Sequence, residues 1–579
     1  MTAVSLDCPK QARCSGCALG AAPYREGLNR KAQQLSRALA AYDSLAASVL
    51  PPRAASPTIA YRVRAKLVSH RRELGLFERG SHRVLDVAGC RVLSSALTQA
   101  SEALRARLPL PIHGADFRET SEGVLLTLLS EDTGSRSELV QLATALVSEG
   151  VAHSVALALR RPGEVRLLAS EPEVVAGPAA ARHALAEEAP YAYAAHGGFV
   201  QAHAGQASYV YGEIARGLAE RLGSLAGRPI LELFAGNGSL ALQLARAGAR
   251  VTAVESYAPA IELSRRAARE QDLALEAVAD DAARFASRAK ARFDAILVNP
   301  PRRGLSPELR EALARAEPRV LAYVSCQPRT LARDAAHLRR LGLELTQAEP
   351  LDMIPWSDAV EALTWFQAAV PPAPRVLFED ELCLAVEKSP HELLRSESDG
   401  ATSLTARVRG LSGWSGAVPL EDWGAELSGV CWFARDAESA SRLGPAHRAG
   451  TRTFTLLVRG NLRKQGTVTR RSPRQSTRGV RYTKVHDAAR HSVVSAKSED
   501  ADERAVLADF ASIRHPVLGD AVSGDSASNR FAWHRHALDR AFVHVGESSF
   551  GAEADGTLRQ AQSPLAPDLE WVLESLGSD

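Results

Sequence analysis

Apolar positions along this chain change their spacing several times, and each change predicts a different kind of element. The stretch LNRKAQQLSRALAAY (residues 28–42) has helical periodicity. From about residue 56 to 195, short apolar runs bounded by turn residues (YRVRAKLVSH, GVLLTLLS, SVALALRR, EVRLLAS) predict strands. Helix-like stretches such as LTQASEALRARL interrupt them, so this region reads as an α+β module with its own small core. Residues 196–370 alternate apolar strands (PILELFAG, RVTAVES, FDAILVNPP, RVLAYVSC) with amphipathic helices, the pattern of a parallel, doubly wound α/β sheet. A proline-rich joint, VPPAPRV (370–376), then marks a boundary, and a strand-rich α+β region follows. The expected organisation is an N-terminal segment 1–55, a module 56–195, an α/β domain 196–370 and a C-terminal domain 375–579. There is no internal repeat or extended low-complexity segment.

A chain of 579 residues is too long for a single core, which agrees with several domains. No run of about 18 apolar residues is present, so no membrane span is expected. The start, MTAVSLDCPKQARCSGC, lacks the apolar core of a secretory signal, and the expectation is a cytoplasmic protein. Net charge is only +3, so nucleic-acid binding is not announced by the whole chain. Positive charge is local instead. Arg463, Lys464, Arg470, Arg471, Arg474, Arg478, Arg481 and Lys484 follow one another with no acidic residue between them. Such a stretch suits a phosphate backbone, and the bland alternative is a solvated basic loop.

Two segments in the α/β region carry candidate chemistry. ILELFAGNGSLALQLA (230–245) reads as a strand, a glycine-bearing turn and a helix start. Gly236 and Gly238 let the backbone approach a ligand at the strand's carboxyl end, and the next strand ends in Glu255, placed to hold ribose hydroxyls. A nicotinamide cofactor fits that pattern as an alternative. YVSCQPRTLARD (323–334) puts Cys326 at the end of an apolar strand, where Arg329 and Arg333 are expected to favour its thiolate. A lone cysteine is more often an apolar filler. Here, however, NPPRRGLSP (299–307) follows another strand as an active-site loop would. DMIPWSDAVEALTWF (352–366) brings in Glu361, and GGFVQAH (197–203) precedes the α/β domain.

Together these motifs resemble the RNA uracil-5 methyltransferase family. Its patterns appear as Phe199-Val200-Gln201, Asn299-Pro300-Pro301-Arg302, Ser325-Cys326-Gln327-Pro328 with Arg333-Asp334, and Ala359-Val360-Glu361, in order over about 370 residues. The resemblance implies a Rossmann-like fold that uses S-adenosylmethionine, contacted by Gln201, Phe234, Ser239, Glu255, Asp280 and Asn299. It further implies Cys326 as the covalent nucleophile on carbon 6 of a flipped uridine and Glu361 as the base. Two positions depart from the pattern: Asn299 replaces an aspartate and Ala359 a histidine. Structured RNA is the implied partner, 23S ribosomal RNA first and transfer RNA as the alternative. The rival from another class is a non-catalytic ribosome-assembly factor.

Cys8, Cys14, Cys17 and Cys90 supply four thiolates in a chain where disulfides are not expected. That number suits a [4Fe-4S] cluster, with structural zinc as the alternative. The same resemblance covers these cysteines and Pro23-Tyr24 beside them. It further implies that the accessory RNA-binding TRAM domain of longer members is absent, which favours the members that act on large-subunit ribosomal RNA.

Residues 375–550 resemble, in worn form, the pseudouridine synthases of ribosomal RNA. The matching pieces are VLFEDELCLAVEKSP, ELSGVCWFAR, TRTFTLLVRG, RHPVLGD and RFAWHRHAL. Counting back from Ser428-Gly429 puts Gly424 where that family has its catalytic aspartate, and Asp422 is two residues out of register. The resemblance therefore implies a retired synthase kept as an RNA-binding surface, with bifunctional activity as the lesser reading.

Overall fold

The computed structural model describes the chain apart from residues 1–4, 46, 133, 160–170, 396–402, 470–478, 489, 500–502, 552–555 and 578–579. Its central sheet has eight strands in the order Ser48–Val49, Leu343–Leu351, Glu361–Ala368, Val320–Ser325, Ala295–Val298, Pro229–Leu233, Arg250–Glu255 and Leu275–Ala279. The strands from 275–279 to 320–325 run parallel, and Glu361–Ala368 is antiparallel to both its neighbours. Their apolar runs are nearly continuous because both faces are covered. One face packs against helices Ala204–Leu222 and Ser239–Arg246, the other against Pro307–Arg315 and Pro328–Arg340. Chain order reverses on either side of Pro229–Leu233, so the loops after that strand and after Ala295–Val298 diverge and open a crevice at the strands' carboxyl ends.

The N-terminal segment packs on the central domain. Helix Tyr24–Ala40 sends Leu35 and Leu39 into the core beneath the central sheet, and Ser48–Val49 adds a parallel strand to that sheet's edge. An amphipathic helix without a core of its own has to bury its stripe on a neighbour.

A seven-stranded sheet lies between residues 64 and 176, with helices Ser95–Arg105 and Arg136–Ser148 packed into its core. The expected strand EVRLLAS (164–170) lies outside the described residues. This module is sewn to the central domain through Arg62, which bridges Leu93 and His203, and through the Val63 N–H donating to the Ala202 carbonyl at 3.0 Å. The strand Arg64–His70 is thereby brought alongside the loop that carries Gln201.

The C-terminal region forms a ten-stranded sheet around Trp414, Trp432, Phe454 and Phe542. In the basic segment, Gln465–Val468 and Val480–Ala488 pair as an antiparallel hairpin. Lys484 bonds Asn461 and Asp487 and Arg481 pairs with Glu499, whereas Arg470, Arg471, Arg474 and Arg478 lie outside the described residues. Among the described residues no helix is long and apolar enough to cross a membrane.

Candidate active site

The crevice at the carboxyl ends of the central strands is a cavity of about 780 Å³. Cys326, Glu361, Gln201, Phe234, Glu255, Asp280 and Asn299 all line it. The turn after Pro229–Leu233 has Phe234 (φ 61°), Gly236 (φ 57°) and Gly238 (φ 76°) in the left-handed region. For Phe234 this conformation is strained, as is common where backbone is shaped around a ligand. Glu255 closes the turn by accepting from the Gly236 N–H at 3.1 Å and the Tyr257 N–H at 3.0 Å. The buried Asp280 accepts from the Asp281 N–H at 2.9 Å and pairs with Arg284 and Arg288. Ser239 is the one proposed cofactor residue absent from the cavity wall. It starts the following helix, and its hydroxyl donates to Asn237 Oδ1 at 2.8 Å, bracing the turn from behind.

Cys326 follows the buried strand Val320–Ser325, and Glu361 opens the antiparallel strand beside it, with Ser325 opposite Ala362. Register alone therefore makes the thiol and the carboxyl neighbours. Burial, with the Glu361 carboxylate adding to it, pushes the Cys326 thiol up to about 11 against the pull of Arg302. Burial also pushes the Glu361 carboxyl up to about 7, opposed by Arg302 and Lys31. Lys31 itself is buried and pairs with Asp352 at 2.5 Å, and Asp352 also accepts from the Tyr24 hydroxyl at 2.6 Å.

The arginine that serves the thiol is not one of those expected from the sequence. Arg329 points away to pair with Glu574 at 2.5 Å, and Arg333 is buried against Asp334 and Asp539. Both sit on the helix that starts after Cys326, whose side chains turn away from the cavity. Arg302, from the loop after the neighbouring strand, lines the cavity with Cys326 instead, and its charge pulls the thiol's pKa down. Its signal was present in the Asn-Pro-Pro-Arg motif but could not be aimed at Cys326 without the fold. Also missed were Arg62, Arg64 and Lys66, which line the same cavity from the preceding module. They alternate in YRVRAK and so share one face of an extended chain, which is a legible period.

The four clustered cysteines converge only in part. Cys8, Cys17 and Cys90 pack around Leu6, Tyr61, Val92 and Trp356. The Cys17 thiol is pushed up to about 12 by burial and by the neighbouring Cys90, Cys14 and Cys8. Lys10 ties the segment to the Cys90 turn through the Asp86 and Ala88 carbonyls, each at 2.8 Å. Among the described residues no group of three or more His, Cys, Asp or Glu stands close enough to hold a metal ion. Four clustered thiols are nonetheless the donor set that an iron–sulfur or zinc site takes.

A doubly wound sheet with a glycine turn, an acid after the second strand and a loop cavity at the switch point is a nucleotide-cofactor architecture, and the family matches place it among the S-adenosylmethionine-dependent methyltransferases. The methyltransferase small domain family matches residues 211–321. A 23S rRNA (uracil(1939)-C(5))-methyltransferase of Pseudomonas aeruginosa is 31% identical over 373 residues, 62% of this chain and 80% of that protein. The tRNA (uracil-54, C5)-methyltransferase of Pyrococcus abyssi, solved with S-adenosyl-L-homocysteine, covers 61% of this chain and 86% of its own at 22% identity and a TM-score of 0.49. Human RNA pseudouridylate synthase domain containing 1 covers 34% of this chain and 87% of its own at 15% identity and a TM-score of 0.28. The chain belongs to the RNA uracil-C5 methyltransferase family.

Proposed function

We propose that this protein methylates carbon 5 of a uridine in 23S ribosomal RNA through a covalent adduct of Cys326. The observation that carries the reading is the meeting of Cys326, Glu361 and Arg302 in the cavity lined by the cofactor residues. Carbon 5 of uracil is too weak a nucleophile to take a methyl group directly. The Cys326 thiolate, paired with Arg302 once its proton has left to solvent, adds to carbon 6, and the electrons of the 5,6 double bond move to make carbon 5 enolate-like. Bound S-adenosylmethionine would supply an electrophilic methyl group on its sulfonium; as carbon 5 bonds to that methyl, the S–CH3 bond would break and the neutral thioether S-adenosylhomocysteine would leave. Glu361 then takes the hydrogen from carbon 5 as a proton, the 5,6 double bond re-forms, and the Cys326 sulfur leaves as thiolate. Arg62, Arg64 and Lys66 offer positive charge to the phosphates of a flipped-out uridine at the cavity mouth.

Gln201, Phe234, Glu255, Asp280 and Asn299 are proposed to hold the cofactor, with Ser239 supporting the turn. Cys8, Cys14, Cys17 and Cys90 are proposed as the ligands of a [4Fe-4S] cluster with a structural role, and the packing of Cys8, Cys17 and Cys90 in one patch supports this. The C-terminal domain is read as a retired pseudouridine synthase that binds RNA. Gly424 stands in the aspartate's place, and buried Lys388 is spent on the Ala425 and Leu427 carbonyls at 3.0 and 2.6 Å.

The test is methyl transfer from labelled S-adenosylmethionine to separate pools of unmodified 23S ribosomal and transfer RNA, with Cys326→Ala as control. Label recovered as 5-methyluridine in the ribosomal pool, and absent with the variant, is the expected result. Label in the transfer RNA pool alone would reassign the substrate. No label in either would favour an assembly factor.

A further inference from the structure

The loop that carries Arg302 to the thiol is held from below by the helix Pro328–Arg340. The Thr330 hydroxyl donates to the Arg302 carbonyl at 3.1 Å, and Arg333 Nη2 donates to the Arg303 carbonyl at 2.8 Å. Asp334 Oδ2 accepts from the Leu305 N–H at 2.7 Å and from the Tyr323 hydroxyl at 3.0 Å. The fit is tight, since a Cβ on Gly304 would come 2.4 Å from Asp334 Oδ2.

Arg333 is in turn gripped by the C-terminal domain. Its Nη1 donates to the Ala537 carbonyl at 2.8 Å and lies 3.2 Å from Asp539. Asp539 also pairs with Arg310 at 3.0 Å and meets His391 Nε2 at 3.1 Å. Arg310, Arg333, Asp334 and the Asp539 side chain are all essentially excluded from solvent. Burial alone would raise the Asp539 carboxyl, but Arg333, His391 and Arg310 together hold it well below the usual carboxylate range. Two buried guanidiniums are thus balanced by two carboxylates, one from each domain. Without Asp539 both would compete for Asp334, the group that fixes the Leu305 end of the loop. An unbalanced buried charge forces its neighbours to rearrange.

We infer that Asp539, from the C-terminal domain, is a positioning residue for methyl transfer, acting through Arg333 on the loop that sets Arg302 against Cys326. The extra domain is then a structural part of the catalytic centre as well as a neighbour of it. The inference rests on the proposed methylation for its rate readout alone. Displacing a catalytic contact by about 1 Å can cost on the order of 100-fold in rate, so a large effect from a residue outside the cavity is reasonable.

The experiment uses the full-length protein with Asp539→Asn, Asp539→Glu, Arg333→Lys and the double variant Asp539→Asn/Arg333→Lys. Two quantities are read: methyl transfer to unmodified 23S ribosomal RNA, and the pH dependence of Cys326 alkylation by iodoacetamide, located by peptide mass mapping. Asp539→Asn is expected to lower kcat at least about tenfold, leave KM for S-adenosylmethionine within about twofold and move the alkylation midpoint upward. Asp539→Glu should recover part of both effects. Arg333→Lys keeps the charge balance but loses the fork, so it should fold and show the same pattern. In the double variant the loss should not exceed that of the worse single variant, because both act on one path. Wild-type kcat and alkylation midpoint in both single variants, with only a lower Tm, would overturn the inference and leave an interdomain clamp. If Asp539→Asn fails to fold, Arg333→Lys decides the matter alone. Absence of methylation by the wild type would sink the functional reading while the alkylation profile still tests the positioning role.

Discussion

Cys326 and Glu361 bring opposite demands into one cavity. In the proposed reaction the thiol must lose a proton where burial and a neighbouring carboxylate resist it, and the carboxyl must be ionised where burial favours its neutral form. With the thiol at about 11 and the carboxyl at about 7, both active forms grow with pH. Below about pH 7 Glu361 holds a proton and cannot accept the one from carbon 5. The single-turnover rate of free 5-methyluridine release should therefore climb with a slope near two below pH 7 and near one above it, as rapid-quench measurements across pH 5.5–9.5 would show (roughly the span that brackets the carboxyl). A flat profile over that span would contradict the assignment. Glu361→Gln should still form the adduct and transfer methyl, yet fail to release it. The expected product is a protein–RNA species that survives denaturing electrophoresis, with turnover down by roughly 10²–10⁴-fold.

Among the elements, the loop after Ala295–Val298 is the most constrained. Gly304 has φ +77° and no room for a Cβ against Asp334 and Arg333. Gly304→Ala should cost about 1–3 kcal/mol, read by denaturant unfolding, and lower kcat more than it raises KM for the cofactor, because the strain falls on the Arg302 loop. The strand Arg64–His70 makes the complementary prediction. Arg64→Glu with Lys66→Glu should raise KM for RNA by tenfold or more and flatten its salt dependence by roughly two phosphate contacts, with cofactor binding unchanged. An unaltered salt slope would remove this strand from the RNA path.

For the whole molecule, the three large sheets are joined at points that matter to the site. Tyr24 and Lys31 reach Asp352, Arg62 bridges to His203, and Asp539 reaches Arg333. The cysteine patch braces the first of these junctions, packing against Tyr61 and Trp356. If it holds an iron–sulfur cluster, Cys90→Ser should lose iron and acid-labile sulfide and lower Tm, while residual soluble protein keeps cofactor affinity within a few-fold. Stoichiometric zinc in the wild-type protein, by elemental analysis, would replace the cluster with the alternative metal.

The sequence by itself determined the central sheet, the glycine turn and the candidate site residues, because these are written in local periodicity and short motifs. PILELFAG and RVLAYVSC are apolar without alternation since both faces are covered, and Cys326 and Glu361 stand at strand ends that register makes adjacent. What lay in no local pattern was the aim of charged side chains. Arg329 and Arg333 are near Cys326 in sequence but on a helix that turns them away, whereas Arg302 is 24 residues distant and shares the cavity wall with the thiol. The N-terminal helix likewise reads as amphipathic in isolation, but only the fold chose the 328–340 helix and the central sheet to cover it. Electrostatic partnership and burial depend on distances between segments far apart in the chain, and only tertiary structure sets those distances. The link from Asp539 to Arg333, across 206 residues, is such a case bearing on the catalytic loop.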